Sequence, residues 1–185
     1  MSKKSRFVLV AVLLGVAAFF TLPNVFSQTS TSEPDGLETA VFAGGCFWCT
    51  ESDFEKHLGV KDAVSGYTGG TVENPTYEQV SSGTTGHIEA VQVYYDPAII
   101  SYQQLLDAFW RMHDPTDAEG SFVDRGPQYL SAIFYEDETE QVLAEGSKAA
   151  LEASGKFDAP IATTIQPLDE FYVAEDYHQN YHKTS

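Results

Sequence analysis

"ETAVFAGGCFWCTESDF", residues 38–54, changes pattern twice within one stretch. Residues 38–43 suit a short buried strand, and Gly44-Gly45 ends it. Helical spacing follows, with Phe47, Phe54 and Leu58 recurring at i, i+7 and i+11 on one face. Cys46, Cys49 and Asp53 fall on a neighbouring face at i, i+3 and i+7. The stretch therefore predicts a strand, a glycine turn and a helix carrying Cys46 in its first turn. It holds both cysteines of the chain, three residues apart.

Further strands are predicted over 60–70, 88–95, 129–136 and 161–167. Helices are predicted over 74–83, with Pro75 in the first turn, and over 101–113 and 137–154. Tyr102, Leu105, Leu106, Phe109 and Trp110 form a core stripe on the second of these. Residues 170–182 close the chain as an aromatic tail whose His178 and His182 read as a polar face. Helices interspersed with strands, without regular βα alternation, predict an α+β fold. The architecture expected is a plait-like two-layer α/β sandwich around a central mixed β-sheet.

Residues 1–27 read differently. Lys3, Lys4 and Arg6 precede an apolar run from Phe7 to Leu22, and Pro23 breaks it. This is the layout of a secretory signal cleaved after Ser27, and the run is also long enough for an uncleaved membrane anchor over residues 7–22. Either role puts the working domain outside the cytoplasm. Polar residues 28–37 read as a linker, leaving 38–185 as a single domain. Without Lys3, Lys4 and Arg6, 7 basic residues face 27 acidic ones, a net charge of −20. Such a surface repels phosphate backbones, which argues against nucleic acid as a partner. A monomer is the default state.

A bridge between Cys46 and Cys49 would close too short a loop to constrain the unfolded chain much. That tilts the pair from a structural staple toward redox chemistry, but three readings stand. At a helix N-terminus, dipole and free N–H groups would favour the Cys46 thiolate, and a thiol at i+3 could bridge to it. A zinc site would need His178 and His182 to join the cysteines across 128 intervening residues, against the 12–15 usual for such fingers. A thioredoxin-like dithiol oxidoreductase shares the strand-CxxC-helix start. Glu89 adds a further element. It alternates with Val91 and Val93, so a buried face would carry its carboxyl inward, raise its pKa and make it a general acid; an edge strand would leave it in water.

Several motifs together carry a resemblance: "GGCFWCTE" at 44–51, "GYTGG" at 66–70, "NPTYEQVSSGTTGHIEAVQVYYDP" at 74–97, "HDPT" at 113–116 and "DRGPQY" at 124–129. In this order, across roughly 40–182, they are similar to the type A peptide methionine sulfoxide reductases. The resemblance implies that Cys46 is the nucleophile and Glu89 the acid. It implies that Tyr77 and Tyr129 donate to the sulfoxide oxygen, that Asp124 orders the site, and that Phe47 and Trp48 wall the methyl group. The implied substrate is methionine S-sulfoxide, free or in proteins, and the implied reductant is a thioredoxin-like protein.

The chain departs from a common form of that family, with Cys49 where many members have Gly and no cysteine in its tail. Cys49 is therefore expected to resolve the Cys46 sulfenic acid. No metal, nucleotide or flavin motif occurs, so no cofactor is expected. The dithiol oxidoreductase remains the alternative, although it leaves Glu89, Tyr77 and Tyr129 unexplained.

Overall fold

A computed structural model describes residues 36–184, so the predicted export segment and most of the linker lie outside the described residues. The chain lays down β1 (Glu38–Gly44), α1 (Phe47–Phe54), β2 (Val60–Thr68), α2 (Tyr77–Ser81), β3 (Ile88–Tyr95) and α3 (Tyr102–Phe109). A two-residue hairpin follows, β4 (Gly120–Ser121) and β5 (Asp124–Arg125), then a 3-10 turn over Pro127–Tyr129. The remainder is β6 (Ser131–Tyr135), α4 (Glu138–Ala153), β7 (Thr164–Pro167), β8 (Tyr172–Val173), a 3-10 turn over Asp176–His178 and α5 (Tyr181–Thr184).

Six strands form one sheet in the order β7-β6-β1-β3-β2-β8. All neighbours are antiparallel except β6 and β7, which α4 joins as a parallel pair. The period of two along each strand divides the apolar residues between the faces. Phe42, Val91, Val93 and Ile133 pack with Phe47 and Phe54 of α1 and Leu105, Leu106 and Phe109 of α3. Val41, Ala43, Ile88, Ala90, Ala132 and Phe134 point the other way, under Leu130, Leu168 and Phe171 from the loops. The expected α+β architecture with a mixed sheet is what the chain forms. Phe42 sits at the centre of the helix side, its ring 4.9 Å from Phe54 and 5.1 Å from Phe109. Truncating it to alanine would cost roughly 3–5 kcal/mol.

Three local readings need correction. Leu58 does not share the buried face of α1. The helix ends at Phe54, and Leu58 lies in the following turn, 85% exposed. Pro75 is not in the first turn of α2, because Thr76 caps that helix through a reciprocal pair with Gln79. The α3 helix stops at Phe109 because the chain turns toward His113, whose Nδ1 meets the Phe109 carbonyl at 3.1 Å. Among the described residues no helix is long and apolar enough to cross a membrane.

Candidate active site

The ends of β1 and β2 and the start of β3 lie side by side, because Tyr67 pairs with Glu89 and Phe42 with Val91. At this end Gly45 takes φ +98°, a left-handed turn open to glycine, and swings the chain from the sheet into α1. Cys46 is the N-cap of α1 rather than a residue of its first turn. Its carbonyl accepts from the N–H groups of Cys49 and Thr50 at 3.1 and 3.2 Å. Cys46 is half-buried and Cys49 exposed, and both are free thiols.

Glu89 lies on the inner face of β3, flanked by β1 and β2, and is 2% exposed. The edge-strand reading is therefore excluded. Its Oε2 accepts the Phe47 N–H at 3.0 Å, which ties the carboxyl to the residue after Cys46. Burial pushes its pKa from 4.5 to about 7, helped by the nearby Asp124 charge and opposed by the Phe47 hydrogen bond.

The same burial corrects the expectation for the cysteine. Desolvation, reinforced by the Glu89 charge, pushes the Cys46 thiol up to about 12. The N–H groups of Cys49 and Trp48 pull the other way and lose. In the unliganded protein Cys46 is therefore a thiol held beside a carboxyl that titrates near neutrality.

Tyr77 enters from α2 and Tyr129 from the 3-10 turn before β6, and the two phenols lie close enough to influence each other. Burial and then the Glu89 charge raise both, Tyr129 to about 12, so both keep their protons to donate. Asp124, at the foot of the β4–β5 hairpin, lies close enough to raise Glu89, Tyr77 and Tyr129 alike. Phe47 is fully buried, its ring 5.9 Å from Tyr67, while Trp48 is half-buried beside it at 6.2 Å. All eight residues singled out from sequence thus converge on one end of the sheet.

The structure adds residues that sequence reasoning missed. His178 is not on a polar face of the tail but is 1% exposed. Its Nδ1 accepts the Trp48 Nε1–H at 3.1 Å, and its ring lies 4.9 Å from Phe47 and 4.5 Å from Tyr77. Glu175 accepts from the Tyr77 backbone and from the Tyr67 hydroxyl, each at 2.9 Å. Tyr181 stacks on Trp48 at 3.7 Å with an interplanar angle of 8°. Only the aromatic density of the tail pointed to these. The two histidines do not join the cysteines as ligands, since His182 faces Glu55 with its Nε2 at 3.1 Å. Among the described residues no three His, Cys, Asp or Glu side chains converge as a metal site.

A family described as peptide methionine sulfoxide reductase matches residues 38–185. The peptide methionine sulfoxide reductase MsrA of Halalkalibacterium halodurans is 56% identical over 147 residues, 80% of this chain and 84% of that protein. In structure the chain is similar to Mxr1 from Saccharomyces cerevisiae in its reduced form, with TM-score 0.77, 32% identity, and 85% and 91% of the two chains covered. Mxr1 is also solved in complex with Trx2, at TM-score 0.58, 27% identity, and 82% and 90% coverage. The chain belongs to the peptide methionine sulfoxide reductase family.

Proposed function

We propose that this enzyme reduces methionine S-sulfoxide, free or in proteins, through a thiol cycle in which Cys46, Glu89 and Cys49 have separate tasks. The observation that carries the reading is the buried Glu89 carboxyl, with its pKa near 7, beside the Cys46 thiol. A sulfoxide oxygen leaves sulfur only once protonated. Glu89 gives its proton to that oxygen while Tyr77 and Tyr129 donate hydrogen bonds to it. Cys46 Sγ attacks sulfur, and its own proton passes to the emptied Glu89 carboxylate. The S–O bond breaks, methionine departs, and the hydroxyl ends on Cys46 as a sulfenic acid, with the carboxyl restored. Phe47 and Trp48 form the apolar wall for the methyl group, and Asp124 helps keep Glu89 protonated through its charge.

Cys49 then attacks the Cys46 sulfenic acid, releasing water and leaving a disulfide. Side chains at i and i+3 of a helix have Cβ atoms about 5–6 Å apart, and a disulfide needs roughly 3.5–4.5 Å. Closing that gap asks for about an ångström of movement. Cys46 sits at the N-cap with ψ 119°; its carbonyl closes the first turn, but its own N–H and non-helical ψ leave its side chain outside the regular helical spacing, and that is where the movement comes from. The Cys-Phe-Trp-Cys segment thus holds attacking and resolving thiols together. A thioredoxin-like dithiol returns the pair to thiols, a partner class supported by the Mxr1 complex with Trx2. Residues 1–27, with Lys3, Lys4 and Arg6 ahead of an apolar run, support export and periplasmic or membrane-anchored work.

The deciding experiment mixes the fully reduced protein, without added reductant, with an excess of the S- or R-sulfoxide of a blocked methionine. One methionine per protein from the S epimer alone, with both thiols lost, is the expected result. One methionine with Cys49 still titrating removes the resolving role, and no methionine removes the reductase reading.

A further inference from the structure

The β4–β5 hairpin does more than carry Asp124. Its two turn residues, Phe122 and Val123, are 64% and 89% exposed. Phe122 takes φ +52°, the left-handed region that a bulky side chain occupies only at a cost. The fold gains little from either side chain, yet the strained one is an aromatic ring held out in water. The hairpin also has a fixed address. Ser121 lies directly against Gly45, so closely that a Cβ on Gly45 would meet the Ser121 Cβ at 2.3 Å. The apolar tip therefore begins one residue from a contact with the residue that precedes Cys46.

A methionine sulfoxide side chain that reaches Cys46 leaves its own backbone lying across the mouth of the site. An extended chain advances about 3.3–3.6 Å per residue, so side chains two or three places from the sulfoxide reach about 7–11 Å beyond it, the kind of span that separates Cys46 from a hairpin whose base touches Gly45. Those flanks have a typical chemistry. Methionine is among the residues most often buried in folded proteins, and its oxidation disrupts the cores that hold it. Damaged segments hence present apolar neighbours. Acidic flanks would meet a strongly acidic domain, 7 basic against 25 acidic residues over 38–185, and be repelled.

Resting on the reductase reading above, we propose that the Phe122–Val123 turn is a binding element for apolar residues flanking methionine sulfoxide in unfolded polypeptides. It sets a preference for protein-bound over free substrate. The ring and the Val123 methyls lose water when such a flank settles on them, a contribution to binding that the single amino acid cannot make.

The test uses the full chain with Phe122→Asn and Val123→Ser together, since asparagine tolerates the left-handed turn and keeps the hairpin folded. Dithiothreitol serves as reductant, which removes any protein partner. Substrates are free methionine S-sulfoxide, a peptide with Leu two and three places from the sulfoxide on each side, and the same peptide with Glu at those places. The expected result is a KM for the Leu peptide raised about tenfold, with its kcat and both constants for free sulfoxide unchanged. An unchanged KM for the Leu peptide, or an equal rise for all three substrates, overturns the proposal. A defect seen only when thioredoxin replaces dithiothreitol assigns the turn to the reductant and also overturns it. Wild-type protein that reduces none of the three would overturn the reductase reading itself.

Discussion

Trp48 donates its indole N–H to His178 Nδ1 at 3.1 Å, across 130 residues of sequence. That bond fixes the proton of the neutral imidazole on Nε2, and burial holds the ring below its ordinary pKa and so uncharged. Among the described residues Nε2 has no hydrogen-bond partner, and Glu175 Oε2 lies 3.9 Å away. The ring's contribution is its place, packed against Trp48 and Tyr77. Replacing it by phenylalanine keeps the ring and removes the acceptor, leaving the indole N–H unpaired at a cost of about 1–3 kcal/mol. His178→Phe should therefore raise KM for the sulfoxide roughly tenfold while kcat falls less. An unchanged KM in steady-state assays would show that Trp48 needs no such anchor.

Glu89 ties activity and stability to pH in the same sense, both falling as pH rises toward 7 and beyond. Its neutral form is the acid, so turnover should fall as pH rises through about 7. Stability follows from the same shift. A carboxyl whose folded pKa lies above its unfolded value binds its proton more tightly when folded. Its contribution is complete below pH 4.5 and lost as pH climbs toward 7, roughly 3 kcal/mol in all. Glu140, which burial also raises to about 7, adds a parallel loss that remains in a Glu89 variant. Glu89→Gln should lower kcat by about 10²–10⁴. It should also raise the melting temperature at pH 8 relative to the wild type and flatten its decline between pH 5 and 8. Parallel Tm–pH curves for the two proteins would contradict the burial argument.

Cys49→Ser separates the two halves of the cycle. Cys49 is exposed and, among the described residues, its thiol makes no hydrogen bond to Glu89 or the tyrosines, so the first chemical step should survive its loss. The variant should release one methionine per protein in a burst and leave a Cys46 sulfenic acid that a dimedone reagent labels. Multiple turnover with thioredoxin should then collapse, because no disulfide forms for the reductant to open. Normal turnover with thioredoxin would mean that the external thiol attacks the sulfenic acid directly.

The positions of Cys46 and Glu89 were legible in the chain because they rest on local periods, whereas Tyr77, Tyr129 and Asp124 came only through the resemblance to the reductase family. The alternation of 88–95 put Glu89 beside Val91 and Val93, and the strand-glycine-helix reading of 38–54 located Cys46. What local patterns could not give was which strands lie inside the sheet, and hence whether Glu89 was buried. The β4–β5 strands are two residues each, too short for any period to register. Leu58 fitted a helical spacing that the helix itself did not reach. The thiolate expectation weighed the N–H groups at the helix start without the burial that outweighs them. His178, Glu175 and Glu51 act across spans of 98 to 130 residues, where sequence spacing carries no signal.

Glu51 gives the last of these spans a measurable consequence. It follows Cys49 by two residues in α1 and is wholly buried. Ser65 Oγ donates to its Oε2 at 2.5 Å, and the Asn180 backbone N–H donates to its Oε1 at 2.6 Å. Next to it, Gln179 mimics a strand, accepting from the Ser65 N–H at 3.0 Å and donating to the Ser65 carbonyl at 2.9 Å. Together these bonds hold the tail over α1, with His178 and Tyr181 against Trp48. Glu51→Ala would strand two donors in a dry interior and should cost roughly 2–4 kcal/mol in urea unfolding. Glu51→Gln keeps an oxygen for Asn180, and the Ser65 hydroxyl can turn to accept from the new amide, so its loss should stay near about 1 kcal/mol. The alanine variant should also be clipped by protease within residues 170–183 before the domain unfolds, with a raised KM for sulfoxide as Trp48 loses its backing. If alanine and glutamine cost the same and the tail resists cleavage in both, Glu51 is ordinary core packing and the tail is held by something else.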